Sequence, residues 1–268
     1  MAAADWPVLN LTDSAETMDA VHIWTQIVGK IRLELEPMVN HWWQVPLYVS
    51  AHGLATSLMH AEGLGLEIEF DFIDHELAIR TTEGTTRSVP LAPGSIADFY
   101  AATMAAMTEV GAPVHIHPYP TEMATHVAFP EDTAPRPYDA DAVHRLWLAL
   151  VQMARVMYVF RAGFQGKVSP VQLFWGGEDL ALTRFSGRTA PRHRGGVPHC
   201  PDWVQQMAYS HEVSSCGYWP GGTDEGVFYS YAYPEPPGFA ARAVAPDAAS
   251  YDEELGEFLL PYTAVREA

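Results

Sequence analysis

The sequence predicts an α+β fold made of two pseudo-repeated α-β-β-(β)-β-α units, each an antiparallel sheet backed by helices. Three observations lead there. Long apolar stretches of helical period alternate with clusters of short runs of strand period. The short runs are joined by tight Gly/Asp turns, which makes hairpins and therefore antiparallel pairing. Landmarks also recur: Val21-His22 and Val143-His144 open two helices, Pro46 and Pro170 follow 25 and 27 residues later, and Gly53 and Gly177 lie seven beyond. The expected halves are 1–138 and 139–268, packed as one globular unit with room for a ligand cleft between them.

Taken in order, Asp5–Leu11 is an N-terminal arm. Asp13 with Glu16 forms a capping pair for a helix over 14–36, whose apolar positions include Val21, Trp24, Val28, Ile31 and Leu35. Pro37 closes it. Asn40-His41-Trp42-Trp43 leads to strands at Val45–Ser50 and Leu54–Met59. Leu66–Ile73 alternates, with Leu66, Ile68, Phe70 and Phe72 on one face. Leu77–Thr82 and Arg87–Leu91 continue the sheet. Ser95 with Asp98 starts a helix over 96–110, ended by Gly111. Val114–Pro118 reads as a strand, and Thr121–Pro137 as a loop.

Asp139 or Asp141 caps a helix over 142–164. A hairpin follows, Val171–Trp175 and Leu180–Phe185 flanking Gly176-Gly177-Glu178-Asp179. Thr189–Asp202 is Gly/Pro-rich and irregular, a surface loop or lid. Trp203–Tyr209 is a short helix. Val213–Trp219 and Val227–Tyr233 are strands, and the second carries a row of Tyr229, Tyr231 and Tyr233 on one face. A last helix is expected over 251–260, capped by Ser250 and Glu253.

Composition narrows the function classes. The 33 acidic and 15 basic residues give a formal charge of −18, so nucleic acid and anionic membrane are poor partners. No apolar run approaches the ~18 residues of a membrane span, and MAAADWPVLN lacks a signal-peptide pattern. Cys200 and Cys216 have no CxxC spacing; reduced thiols in a cytoplasmic chain are the expectation, with a disulfide between them the alternative.

The densest set of functional groups spans Lys167–Arg188. Arg184 and Arg188 present guanidinium forks suited to a carboxylate or phosphate; ion pairing to Glu178, Asp179 or Glu235 is the alternative. His211, with Glu212 or Asp179, is the candidate general base, against a buried histidine bonded to backbone. Trp175, Lys167, His41, Tyr229 and Trp219 are the candidate ligand contacts. His115-x-His117 has the geometry of a metal pair on one strand face, with Glu122 as a third ligand, yet lacks a defined set of four; no tightly bound structural zinc is expected and no cofactor is assigned. The phosphate loop, dinucleotide fingerprint, zincin helix and nucleophile elbow are all absent.

The ordered set NHWWQVPLYVSAHGL, FDFIDH, GKVSPVQLFWGGEDLALTRFSGR, AYSHEVSS, FYSYAYPEP and LGEFLLPY resembles a bacterial family known only as a domain of unknown function. The resemblance covers roughly Trp6 to Val265. It implies a shared fold and no reaction. It departs at His52, where the family pattern has Arg, and His115 and His117 lie outside it. The leading expectation is an enzyme acting on a small anionic molecule in an aromatic-lined cleft. The alternatives are a non-catalytic small-molecule binder and a protein-interaction module. An enclosed cleft with converging polar groups points to the first two; a flat aromatic patch points to the third.

Overall fold

The computed structural model describes residues 6–268, so Asp5 of the expected arm lies outside the described residues. The fold is α+β, with two antiparallel sheets. The first half runs α1 (Ala15–Leu35), β1 (Tyr48–Val49), β2 (Gly53–Ala55), β3 (Met59–Ala61), β4 (Leu64–Asp71), β5 (Glu76–Thr81), β6 (Thr86–Pro90) and α2 (Ile96–Glu109). The second runs α3 (Ala140–Ala162), β7 (Gln172–Phe174), β8 (Asp179–Thr189), α4 (Asp202–Ala208), β9 (His211–Trp219), β10 (Val227–Tyr233), β11 (Ser250–Asp252), β12 (Glu257–Pro261) and α5 (Tyr262–Arg266).

Strand order is β1-β2-β4-β5-β6 in the first sheet, with β3 also paired to β4, and β7-β8-β9-β10-β12-β11 in the second. The second sheet is a meander from β7 to β10 and then takes β12 before β11, while the first runs outward from β1 with β3 joined at β4. Those first strands meet. Leu47 and Leu173 exchange both backbone hydrogen bonds, at 2.9 and 2.8 Å, so the sheets join edge to edge. Across that seam lies α3, which packs on β1, β2 and β8. Trp147 on α3 donates its indole N–H to Ser50 O. The arm crosses too: Leu9 N–H is held by Glu225, and Tyr262 donates to Pro7 O.

A helix with one apolar stripe sits on a surface, whereas one that is apolar around its circumference is buried. From Ala20 to Arg32 every residue of α1 except His22 is buried. Buried polar side chains then need partners, and α1 uses its own to fix loops. Gln26 and Thr121 exchange hydrogen bonds at 2.8 and 2.7 Å. Arg32 donates to Gln44 O, Pro46 O and Ser57 Oγ. Gly29 is the position where Trp175 lies against the helix backbone, and the Trp175 indole N–H donates 3.0 Å to Val45 O.

The expected caps hold at α2, where Asp98 N–H donates to Ser95 Oγ, and at α3, where Ala142 N–H donates to Asp139. Asp139→Ala is expected to cost about 1 kcal/mol, read from the denaturation midpoint at constant slope.

Four expectations need correction. The α1 cap position is Ser14, not Asp13, and it makes no side-chain capping bond. The strand expected at Leu54–Met59 is two strands, because Thr56 turns its side chain into the ladder and accepts from Ile68 N–H. Val114–Pro118 is no strand: prolines at 113 and 118 remove donors at both ends, and the Pro118 carbonyl accepts from Phe129 N–H of the following loop. The helix expected over 251–260 is the β11–β12 hairpin. Asp252 accepts from the N–H groups of Glu254 and Leu255, Gly256 takes a positive φ of 72°, and Phe258–Leu260 pair with β10. The Ser250/Glu253 cap therefore does not exist.

Candidate functional site

Strand alternation gives the second sheet two different faces. Leu180 and Leu182 of β8 are buried on one face. Asp179, Ala181, Thr183 and Phe185 point to the other, where they are joined by Val213 and Ser215 of β9 and by Tyr229 and Tyr231 of β10. That second face is the floor of a cavity of about 530 Å³. Trp175 and Lys30 form one wall, and Trp42 and Trp43 another. The roof is His199–Pro201 with α4.

The roof is held by a strained turn. His41 and Trp42 both take left-handed backbone, φ 61° and 62°, a conformation costly for residues other than glycine. In that turn His41 Nδ1 donates 3.0 Å to Ala208 O, the Trp42 indole N–H donates 2.9 Å to Val204 O, and the Trp42 and Trp203 rings lie 5.0 Å apart. Lys167 donates 2.8 Å to His41 Nε2, so His41 is the neutral Nδ1–H tautomer with both nitrogens occupied. Burial first, then the Lys167 and His211 charges, hold its pKa down.

The polar end of the cavity carries two carboxyl groups. Asp179 opens β8 just after the Gly176-Gly177-Glu178 turn and accepts a 2.5 Å hydrogen bond from Tyr229. Burial pushes its pKa up to about 6, against the lowering effect of that bond. Glu122 reaches in from the loop that Gln26 clamps at Thr121. Its own backbone is left-handed, φ 64°, and its N–H donates to Pro198 O. A side chain at Gly176 would meet the Glu122 carboxylate, which would have to shift to admit it. Burial, then the Asp179 charge, raises the Glu122 pKa. Beside them Tyr209 and Tyr231 share a 2.7 Å hydroxyl–hydroxyl hydrogen bond, and Thr183 and Ser215 a 3.0 Å one.

Among the described residues, Lys30 is the one lysine or arginine on the cavity lining. Its ammonium donates 3.0 Å to Thr121 Oγ1 and sits 5.5 Å from the Trp175 ring centroid. Among the described residues no carboxylate lies within salt-bridge distance of it. Burial lowers its pKa to about 8, partly offset by Cys200 and Glu122.

Tyr229→Phe isolates one contribution. Tyr229 stabilises the Asp179 carboxylate, so its loss should move the Asp179 midpoint above about 6, read from the carboxyl carbon shift in an NMR titration.

The expected site residues separate into two groups. Asp179, Trp175, Tyr229 and His41 line the cavity, and Lys167 supports His41 from behind. His211 pairs with Thr189 across β8–β9 on the cavity side, its ring 5.7 Å from that of His41, with Nδ1 next to Ser210 Oγ. The others are elsewhere. Arg184 falls on the opposite face of β8; its guanidinium stacks 3.6 Å from the Phe160 ring centroid and donates to Phe160 O. Arg188 is an exposed side chain paired at 2.5 Å with Glu212, which also accepts from Ser186. Arg188 is thus in an internal ion pair, as the alternative to an anion site had it, but its partner is Glu212 and not Glu178, Asp179 or Glu235. Glu212 also faces away from His211, as neighbours on a strand must. Trp219 borders a separate shallow pocket with His22 and Glu178.

His117 reaches the cavity rim but not a metal set. Tyr119, His126 and His199 instead stack in series, with centroid separations of 4.8 and 4.0 Å. Among the described residues no group of three or more His, Cys, Asp or Glu side chains is placed to hold a metal ion. Cys200 and Cys216 are both free thiols. Also among the described residues, no helix is long and apolar enough to cross a membrane.

Sequence reasoning missed Lys30, Thr121 and Tyr209 and gave Glu122 only a metal-ligand role. The available signal for Lys30 was a charged residue, QIVGKI, inside an otherwise apolar stretch. No curated protein and no solved structure matches the chain at a significant level. One family model does, over residues 6–268, and the chain belongs to that family, the family of unknown function DUF5996.

Proposed function

We propose that the protein is an enzyme acting on a small molecule held in the aromatic cavity, with Asp179 and Glu122 handling protons. The observation that carries this is the convergence of two burial-shifted carboxyls from separate segments on one cavity. Asp179, raised to about 6, can both give and take a proton near neutral pH, and burial raises Glu122 in the same direction. The Asp179 charge adds to the burial that holds the Glu122 carboxyl protonated. The aromatic and aliphatic walls suit an apolar body. The polar end of the substrate is an oxygen function, carboxylate or carbonyl, directed at Lys30. A small anion thus stays among the substrates, met by Lys30 in the place expected for Arg184 and Arg188.

Binding without turnover is the second reading. It is favoured by His41, whose two ring nitrogens are both engaged and leave none free for a substrate. The charge of −18 supports small-molecule over nucleic-acid partners, and the free thiols support a cytoplasmic location.

The test is incubation of the purified protein with a metabolite extract, followed by mass spectrometry of both bound and consumed compounds. Consumption that slows roughly 100-fold or more in a folded Asp179→Asn variant is expected for acid–base catalysis. A compound retained but never consumed would establish the binding reading instead. Failure to retain any compound would remove the cavity from consideration.

A further inference from the structure

The chain has 15 basic side chains, and only two are lysines, Lys30 and Lys167. Among the described residues its Lys/Arg–carboxylate pairs are held by arginine, Arg80, Arg87, Arg136, Arg188 and Arg266, and the exposed Lys167 is bonded to His41. Arginine is the better choice for charge alone, since its guanidinium stays protonated; lysine differs in giving up its proton to become a nucleophilic amine. Lys30 is placed for that second use. Its stem is buried in α1, its amine opens onto the cavity, and Thr121 accepts one of its three N–H donors.

We propose that Lys30 is a nucleophilic amine that condenses with a carbonyl compound, an aldehyde or ketone with an apolar body, to form an imine in the cavity. This rests on the reading of the cavity as a small-molecule site with Asp179 and Glu122 as its proton carriers. The neutral amine attacks the carbonyl carbon, forming a C–N bond while the carbonyl oxygen takes a proton from one carboxyl group. The nitrogen then loses a proton to the resulting carboxylate. Reprotonation of the hydroxyl by that carboxyl lets it leave as water, the C–O bond breaks, and the nitrogen lone pair completes C=N as an iminium, whose N–H proton returns to the carboxylate to give the imine. Carbonyl plus amine becomes imine plus water, with no oxidant or reductant. Burial lowers the Lys30 pKa to about 8, so about a tenth of the amine is neutral at pH 7, against well under a thousandth for an ordinary lysine. The apolar surroundings that lower the pKa also limit the water available to hydrolyse the product.

The experiment uses the full chain with benzaldehyde and 4-carboxybenzaldehyde, each reduced in place by sodium borohydride. Peptide mapping then locates the secondary amine. One adduct per chain at Lys30 is expected, present in Lys167→Arg and absent in Lys30→Arg. Because mapping of the unsubstituted chain places the adduct directly, the result stands even if Lys30→Arg folds poorly. Saturation-transfer NMR on the same aldehydes and on benzyl alcohol reports occupancy separately. Aldehydes that bind without an adduct at Lys30 would overturn the imine and leave the cavity reading intact. Adducts confined to Lys167 or the N-terminus would overturn it as well. Neither binding nor adduct would overturn both.

Discussion

Gly29→Ala is expected to destabilise the protein by about 2–3 kcal/mol, although alanine is the better helix former by up to ~1 kcal/mol. The reason is Trp175. A methyl group at 29 would overlap the five-membered ring of its indole, which lies flat against α1. Helix and indole are both buried, so neither can move freely: overpacking of this kind costs about 1–3 kcal/mol. Displacing the ring also breaks its 3.0 Å bond to Val45 O, leaving a buried carbonyl at about 1–3 kcal/mol. A double-mutant cycle separates these contributions. In Trp175→Phe the clashing ring is gone, so adding Gly29→Ala there should cost little, giving a coupling energy above about 1 kcal/mol. Equal effects of Gly29→Ala in both backgrounds would show that Trp175 is not what reads position 29. The cavity should report the same change, since Trp175 forms the wall beside Lys30.

The pairing of Gly29 with Trp175 also shows why part of this molecule was legible in its sequence and part was not. Period places α2, α3 and the β4–β5 hairpin, because each buries one regular apolar face: Leu66, Ile68 and Phe70 are all fully buried; it also places α1, although that helix is buried almost all round. The hairpin at Gly176–Asp179 was readable for the same reason, and with it Asp179 and Trp175. Face assignment along β8 is where the reading of Arg184 failed. Period 2 says that Arg184 and Asp179 lie on opposite faces, but not which face is the cavity; that is decided by where α3 and α4 pack. Glu122 was legible only as a residue in a proline-rich loop. Its position depends on Gln26, 95 positions away in sequence, exchanging hydrogen bonds with Thr121. The C-terminal hairpin was misread because Asp252–Gly256 looks like a helix start when its turn geometry, set by Asp252 and the positive φ of Gly256, is not visible.

Asp179→Asn should make the protein more stable at neutral pH while removing its chemistry. Burial raises the Asp179 pKa from 3.8 to about 6. For an acid shifted upward, the folded state holds the proton more tightly than the unfolded state. Folding carries no penalty from this group below the unfolded pKa of 3.8; the penalty grows as pH rises from there and is complete above about 6. Its full size is on the order of 3 kcal/mol. Asparagine is isosteric, still accepts the Tyr229 hydroxyl through its carbonyl oxygen, and has nothing to ionise. The variant should therefore match the unsubstituted protein near pH 4 and exceed it by about 2–3 kcal/mol at pH 7–8. For a chain of this size that raises the melting temperature by roughly 4–12 °C. The Glu122 carboxyl and Glu257, at about 7, are raised in the same direction, so part of the pH dependence should persist in the variant. A carboxyl kept where it weakens the fold is what a working site requires, and substitutions that relieve such strain commonly exchange activity for stability. Melting curves of both proteins from pH 4 to 8 decide it. A variant no more stable at pH 8 than at pH 4, relative to its parent, would mean that Asp179 titrates as an ordinary surface carboxylate, and its assignment as the proton carrier would fall with it.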